Sequence, residues 1–102
     1  MRKFTLYMGL NDKDTKNQKI STVEAYKIAI NIIKAFTEGG TIFEAHGFYT
    51  HQDGSVTIEP TLRIELMFIE KSTVQAIVNQ LKTAFNQESI AVQDENVTTA
   101  LW

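Results

Sequence analysis

The sequence predicts an α+β sandwich in the order strand, helix, strand, strand, helix, strand. Its antiparallel four-stranded sheet would carry both helices on one face. Three observations point there. Apolar residues alternate with a period of two near the start of the chain. Two stretches with apolar residues three and four apart each follow a serine able to cap a helix. Between those stretches, two strand-like runs meet at Asp53-Gly54.

The chain has 102 residues, 43% of them hydrophobic and 22% charged. Those proportions fit one ordinary globular domain over residues 1–102 rather than a disordered segment. With no cysteine, disulfides, thiolate metal sites and cysteine nucleophiles are excluded. No apolar run reaches the roughly 18 residues of a membrane span, so no membrane partner is expected. The N-terminal residues lack the continuous apolar stretch of a secretion signal, so the expected location is the cytoplasm. The net charge of −2 argues against a nucleic-acid partner.

Phe4, Leu6 and Met8 alternate with Thr5 and Tyr7, which predicts a half-buried strand stopped by Gly9. The polar run from Asn11 to Lys19 is a connecting loop. Ser21 and Glu24 are spaced as a capping box. The helix they open places Tyr26, Ala29, Ile30, Ile33 and Phe36 on one face, and Gly39-Gly40 should end it in a left-handed cap. Ile28 and Ile32 widen the apolar side.

Thr41 to Thr50 and Val56 to Ile69 form a hairpin. With Asp53 and Gly54 alone in the loop, Ala45 faces Leu62, Phe43 faces Ile64, Glu44 faces Arg63 and Tyr49 faces Ile58. A bulge near Gly47 could shift this pairing by one residue. Pro60 lacks the N–H needed for a ladder, so only Leu62 to Phe68 should lie inside the sheet, leaving Phe48 to Glu59 as a projecting two-stranded arm. Ser72 and Gln75 form a second capping box before Val74, Ile77, Val78, Leu81 and Phe85. Asn86 to Ser89 is a turn. Ile90 to Val92 starts a last strand, which Gln93 to Asn96 interrupts and Val97 to Trp102 can resume. Two right-handed crossovers then give a ferredoxin-like arrangement with the first and third strands central.

Such a sheet leaves one face bare. By alternation that face shows Thr5, Tyr7, Glu44, His46, Phe48, Arg63, Glu65 and Met67. His46 with Glu44 and Glu65 is the nearest approach to an acid/base cluster. His51 points the other way, so the two histidines make no metal site. Gly39-Gly40 follows a helix, the reverse of a phosphate cradle, and no nucleophile elbow or dinucleotide fingerprint is legible, so neither a cofactor nor a catalytic residue is assigned. On the arm, Phe48, Tyr49, Val56 and Ile58 are large apolar groups with little to bury them unless the arm folds back onto Trp102.

Leu6-Tyr7-Met8-Gly9-Leu10, Gly40-Thr41, Ala45-His46-Gly47-Phe48-Tyr49, Asp53-Gly54, Glu59-Pro60-Thr61 and Phe85-Asn86-Gln87-Glu88-Ser89-Ile90 together resemble a bacterial family of small domains of unknown function. Members of that family often follow an export signal, and they tend to have glycine where this chain has Asn86. The resemblance implies this fold and marks Gln87, Glu88 and Ser89 as a structural latch behind the second helix, with Arg63 or Arg2 as a partner for Glu88.

The expected function is a non-enzymatic binding or oligomerisation module, a homodimer acting through its bare face or arm on a protein or small molecule, and plausible as a phage or mobile-element accessory. The alternative is a small ligand sensor or enzyme whose cavity on the bare face is closed by a second subunit. Its site would draw on Tyr7, Glu44, His46, Arg63 and Glu65.

Overall fold

A computed structural model describes residues 1–102. Its elements are β1 (Arg2–Gly9), α1 (Thr22–Ile33), β2 (Thr41–Thr50), β3 (Val56–Met67), α2 (Lys71–Ala84) and β4 (Ala91–Asn96). All neighbouring strands pair antiparallel in the order β2-β3-β1-β4, so β1 and β3 are central and β2 and β4 are edges. This is the ferredoxin-like βαββαβ arrangement.

Alternation on the two central strands builds the core. Phe4, Leu6 and Met8 of β1 and Leu62, Ile64 and Leu66 of β3 lie under the helices. Ala25, Ala29 and Ile33 of α1 and Val74, Ile77 and Leu81 of α2 close over them, with Phe85 and Ile90 at the margin. On α1 the buried stripe is Ala25-Ala29-Ile33, while Tyr26 and Ile30 of the expected face lie partly in solvent. The two alanines let α1 approach the sheet closely.

The hairpin differs from the sequence expectation. The His51 N–H donates to the Ser55 carbonyl at 2.8 Å, and the Gly54 N–H donates to the His51 carbonyl at 3.0 Å. Gln52, Asp53 and Gly54 therefore all belong to the loop, and Gly54 takes the left-handed conformation at φ +87°. This is the three-residue hairpin loop that needs glycine at its last position. The added loop residue slides β2 by one: Ile42 faces Ile64, Glu44 faces Leu62, Phe48 faces Ile58, and on the other side Phe43 faces Arg63, Ala45 faces Thr61 and Tyr49 faces Thr57. A slip of one residue exchanges the two faces of a strand. Glu44, His46 and Phe48 consequently leave the open face, and Phe43, Ala45, Gly47 and Tyr49 take their places.

The ladder between β1 and β3 runs from Gly9↔Thr61 to Lys3↔Met67, starting just past Pro60. Beyond it β3 pairs with β2 alone, forming the projecting arm.

Other boundaries also move. α1 stops at Ile33, before Gly39-Gly40, and neither glycine has a positive φ. Gly40 instead permits close packing, since a Cβ there would meet the Leu66 side chain. Ser21 does cap α1, accepting from the Glu24 N–H at 3.2 Å. The N-cap of α2 is Glu70, which makes no side-chain capping bond, so Ser72 and Gln75 lie inside the helix. β4 continues without interruption through Asn96, the residues after it form no strand, and Trp102 is fully exposed rather than under the arm.

Ile64→Ala should lower unfolding free energy by about 2–5 kcal/mol, because Ile64 is wholly buried between the helices and the sheet. Gly54→Ala should lower it by about 1–2 kcal/mol, through left-handed backbone strain alone. Urea unfolding of both variants checks the order.

Candidate functional site

The open face centres on Arg63. Its guanidinium lies 5.3 Å from the Phe43 ring centroid and 5.9 Å from that of Tyr7. Both rings can attract it through their π faces, at about 0.5–1 kcal/mol each for groups near solvent. One guanidinium nitrogen donates to Glu65 Oε2 at 2.9 Å, and Lys3 Nζ lies 3.0 Å from the same oxygen. Arg63 Nε is buried and has no acceptor. The Tyr7 hydroxyl donates to Gln93 Oε1 at 3.3 Å, joining β1 to β4.

The register separates the residues nominated from sequence. Tyr7, Arg63 and Glu65 share the open face, and Tyr49 continues it along the arm, its ring 4.7 Å from that of His51. Glu44, His46, Phe48 and Ile58 lie on the opposite side, at the uncovered margin of the helix layer. The sheet itself therefore divides Glu65 from Glu44 and His46, and no acid/base cluster of the three exists.

A second feature forms where the arm leaves the body. A cleft of about 710 Å³ lies between β1, the arm, the loop after β1 and the turn after α2. Its shape depends on how α2 ends. Asn86 is left-handed at φ +49°, the Gln87 N–H donates to the Lys82 carbonyl at 3.0 Å, and the Asn86 N–H donates to the Thr83 carbonyl at 3.4 Å. This is a Schellman cap, and its left-handed position explains why asparagine and glycine would both be accepted there.

Asn86 also reaches across to the loop. Its Nδ2 donates to Asp12 Oδ1 at 2.8 Å and to Asp14 Oδ2 at 2.9 Å. Asp12 Oδ2 accepts the N–H groups of Asp14 and Thr15 at 3.0 Å each. Gln87 Nε2 donates to the Asn11 carbonyl at 2.7 Å. Glu88 and Ser89 line the cleft. No basic partner meets Glu88, because Arg63 pairs with Glu65 and Arg2 with Asp94. From the arm, Glu59 Oε2 accepts the Asn11 N–H at 2.9 Å, and its carboxyl occupies the space that any side chain on Gly9 would need.

Sequence reasoning missed Asp12, Glu59 and Phe43. Asp12 had a legible signal, since an aspartate followed three residues later by threonine is an Asx-turn pattern. Phe43 had none, because its face depends on the hairpin register, and the Glu59–Asn11 contact joins residues 48 apart in sequence.

The Asn86 amide, helped by the Thr15 and Asp14 N–H groups, outweighs desolvation and holds the Asp12 carboxyl at about 2 rather than 3.8. Serine 55 lowers Asp53 in the same direction. A carboxylate with a depressed folded pKa contributes stability above its unfolded pKa and loses that contribution as pH falls through the folded value. Stability should therefore fall as the pH drops from about 3.8 to about 2. Asn86→Ala should return Asp12 toward 3.8 and flatten its share of that fall. Carboxyl NMR titration and thermal melts across this range measure both.

The chain belongs to the family described as protein of unknown function (DUF3574), whose model matches residues 3–101. No match is found among curated protein sequences. Among solved structures, a phage SAM lyase in the apo state is similar with a TM-score of 0.71 and 23% identity, over 92% of this chain and 78% of that one. The lyase in complex with S-methyl-5′-thioadenosine gives a TM-score of 0.67 at 23% identity, over 92% and 79%. GlnK from B. subtilis in complex with ATP gives 0.55 at 10% identity, over 92% and 82%. At these identities the likeness is one of fold.

Proposed function

We propose that this domain is a non-enzymatic module that works by self-association, as a homodimer joined through its open sheet face and arm. The observation carrying this is the apolar strip left uncovered on the arm, where Phe48 is 75% and Ile58 66% exposed beside Val56. An isolated two-stranded ribbon is marginally stable in water, so a partner surface is its natural support. The arm also stretches the molecule to 48 × 25 × 23 Å, with a radius of gyration of 14.4 Å. A compact chain of this length would have about 13 Å. The partner is taken to be a second copy because the arm is apolar on both sides, with Phe48, Val56 and Ile58 on the side of the helix layer and Tyr49, followed by Tyr7 and Phe43, on the open face, so a second arm can pack against either.

A nucleoside sensor or enzyme, with its cavity on the open face closed by the second copy, has one specific support: two of the similar structures hold S-methyl-5′-thioadenosine and ATP. Tyr7 and Phe43 would then be the rings available for stacking on a base.

Sedimentation velocity should give twice the chain mass of 11.6 kDa. Phe48→Ala and Ile58→Ala should each weaken association about tenfold, the scale of an interface anchor, whereas His46→Ala should leave it unchanged. A monomer at high micromolar concentration would sink the proposal. Saturable binding of S-methyl-5′-thioadenosine or ATP, abolished by Tyr7→Ala, would favour the sensor instead.

A further inference from the structure

The cleft at the base of the arm holds charged groups for which the fold has no use. Asp12 is committed to its own loop and to Asn86, and Glu59 gives one oxygen to Asn11. Lys13, Lys16 and Glu88 form no ion pair. All three line the cleft, together with the free oxygen side of Glu59. Lys16 is held there in the left-handed conformation at φ +62°. That is an unusual backbone for a lysine and is fixed by its N–H donating to the Asp12 carbonyl at 2.8 Å. The volume, about 710 Å³, lies within the range of small-molecule sites.

The mixture of signs narrows the ligand. A phosphate or a simple carboxylate would meet Glu59 and Glu88. A polyamine would meet Lys13 and Lys16. A molecule with an ammonium and a carboxylate close together satisfies both pairs. Tyr7 and Tyr49 add flat walls from β1 and the arm, which suit a planar side group. We propose that this cleft binds a free α-amino acid with an aromatic side chain, its ammonium on Glu59 and Glu88 and its carboxylate on Lys13 and Lys16. Gln87 is then the structural member of the Gln-Glu-Ser element, and Glu88 and Ser89 are the residues it presents to the ligand.

This goes beyond self-association but places the ligand against Tyr7 and Tyr49, rings shared with the face proposed to associate, so binding and assembly are measured separately on each sample. The intact chain, labelled with ¹⁵N, is titrated with L-phenylalanine and L-tryptophan, and with phenethylamine and 3-phenylpropanoate as the two half-ligands. Saturable amide shifts at Gly9, Asn11 and residues 87–89 are expected with the amino acids, and binding about tenfold weaker with either half-ligand. Glu88→Gln and Lys16→Gln should each weaken the amino acid about tenfold while leaving the urea unfolding midpoint unchanged, as for surface changes. Absence of saturable shifts with both amino acids at millimolar concentration overturns the proposal. So does a half-ligand that binds as tightly as the whole. Sedimentation of the same samples reports the assembly state, so failure of either idea is seen without the other.

Discussion

The left-handed glycine at the hairpin tip governs the whole of β2. Gly54 at φ +87° makes the loop three residues long, and loop length fixes which residues of β2 oppose which of β3. Phe43 comes over Arg63 and Tyr49 joins the open face only because of that count. Ile42 reaches the core for the same reason, as the one side chain of β2 packed against it. The open face thereby gains Phe43 and Tyr49 and loses Glu44 and His46, while His51, expected on the other side, comes round beside Tyr49 on the arm.

A second joint sets the cleft. The Schellman cap of α2 leaves Asn86 left-handed, and that backbone aims its amide at Asp12. Asp12 in turn folds the loop after β1 by accepting its own downstream N–H groups. Gln87 and Glu59 hold Asn11 from two sides, one from the end of α2 and one from the base of the arm. Loop, helix terminus and arm are thus tied to one another by polar contacts at the rim of the sheet, next in sequence to the core residues Leu10 and Phe85.

The central strands and the inner face of α2 were legible in the sequence because burial enforces their periodicity, whereas on α1 only Ala29 and Ile33 of the expected face are buried and Ala25 was missed. Phe4, Leu6 and Met8, Leu62, Ile64 and Leu66, and Val74, Ile77 and Leu81 all obey it. β2 was not, because it is an edge with apolar residues on both sides: Ile42 and Phe48 on one, Phe43 and Tyr49 on the other. Pattern cannot choose a register there, and Asp-Gly suits both a two-residue and a three-residue loop. β4 is exposed throughout, so its interior polar residues carried no burial signal and looked like an interruption. Of the site residues, Tyr7, Arg63 and Glu65 were placed correctly because they lie on the central strands. Glu44, His46 and Phe48 were not, because they lie on β2. The Asp12–Asn86 contact joins residues 74 apart in sequence, beyond the reach of local pattern.

The arm is held by β2–β3 hydrogen bonds and the single Glu59–Asn11 tie, with none of its side chains in the buried cluster. Its backbone can breathe while the body stays closed. Amide exchange in the ribbon would follow a local opening equilibrium, and the protons of β1 and central β3 would wait for global unfolding. The molecule is therefore two cooperative units of unequal rigidity on a single continuous sheet.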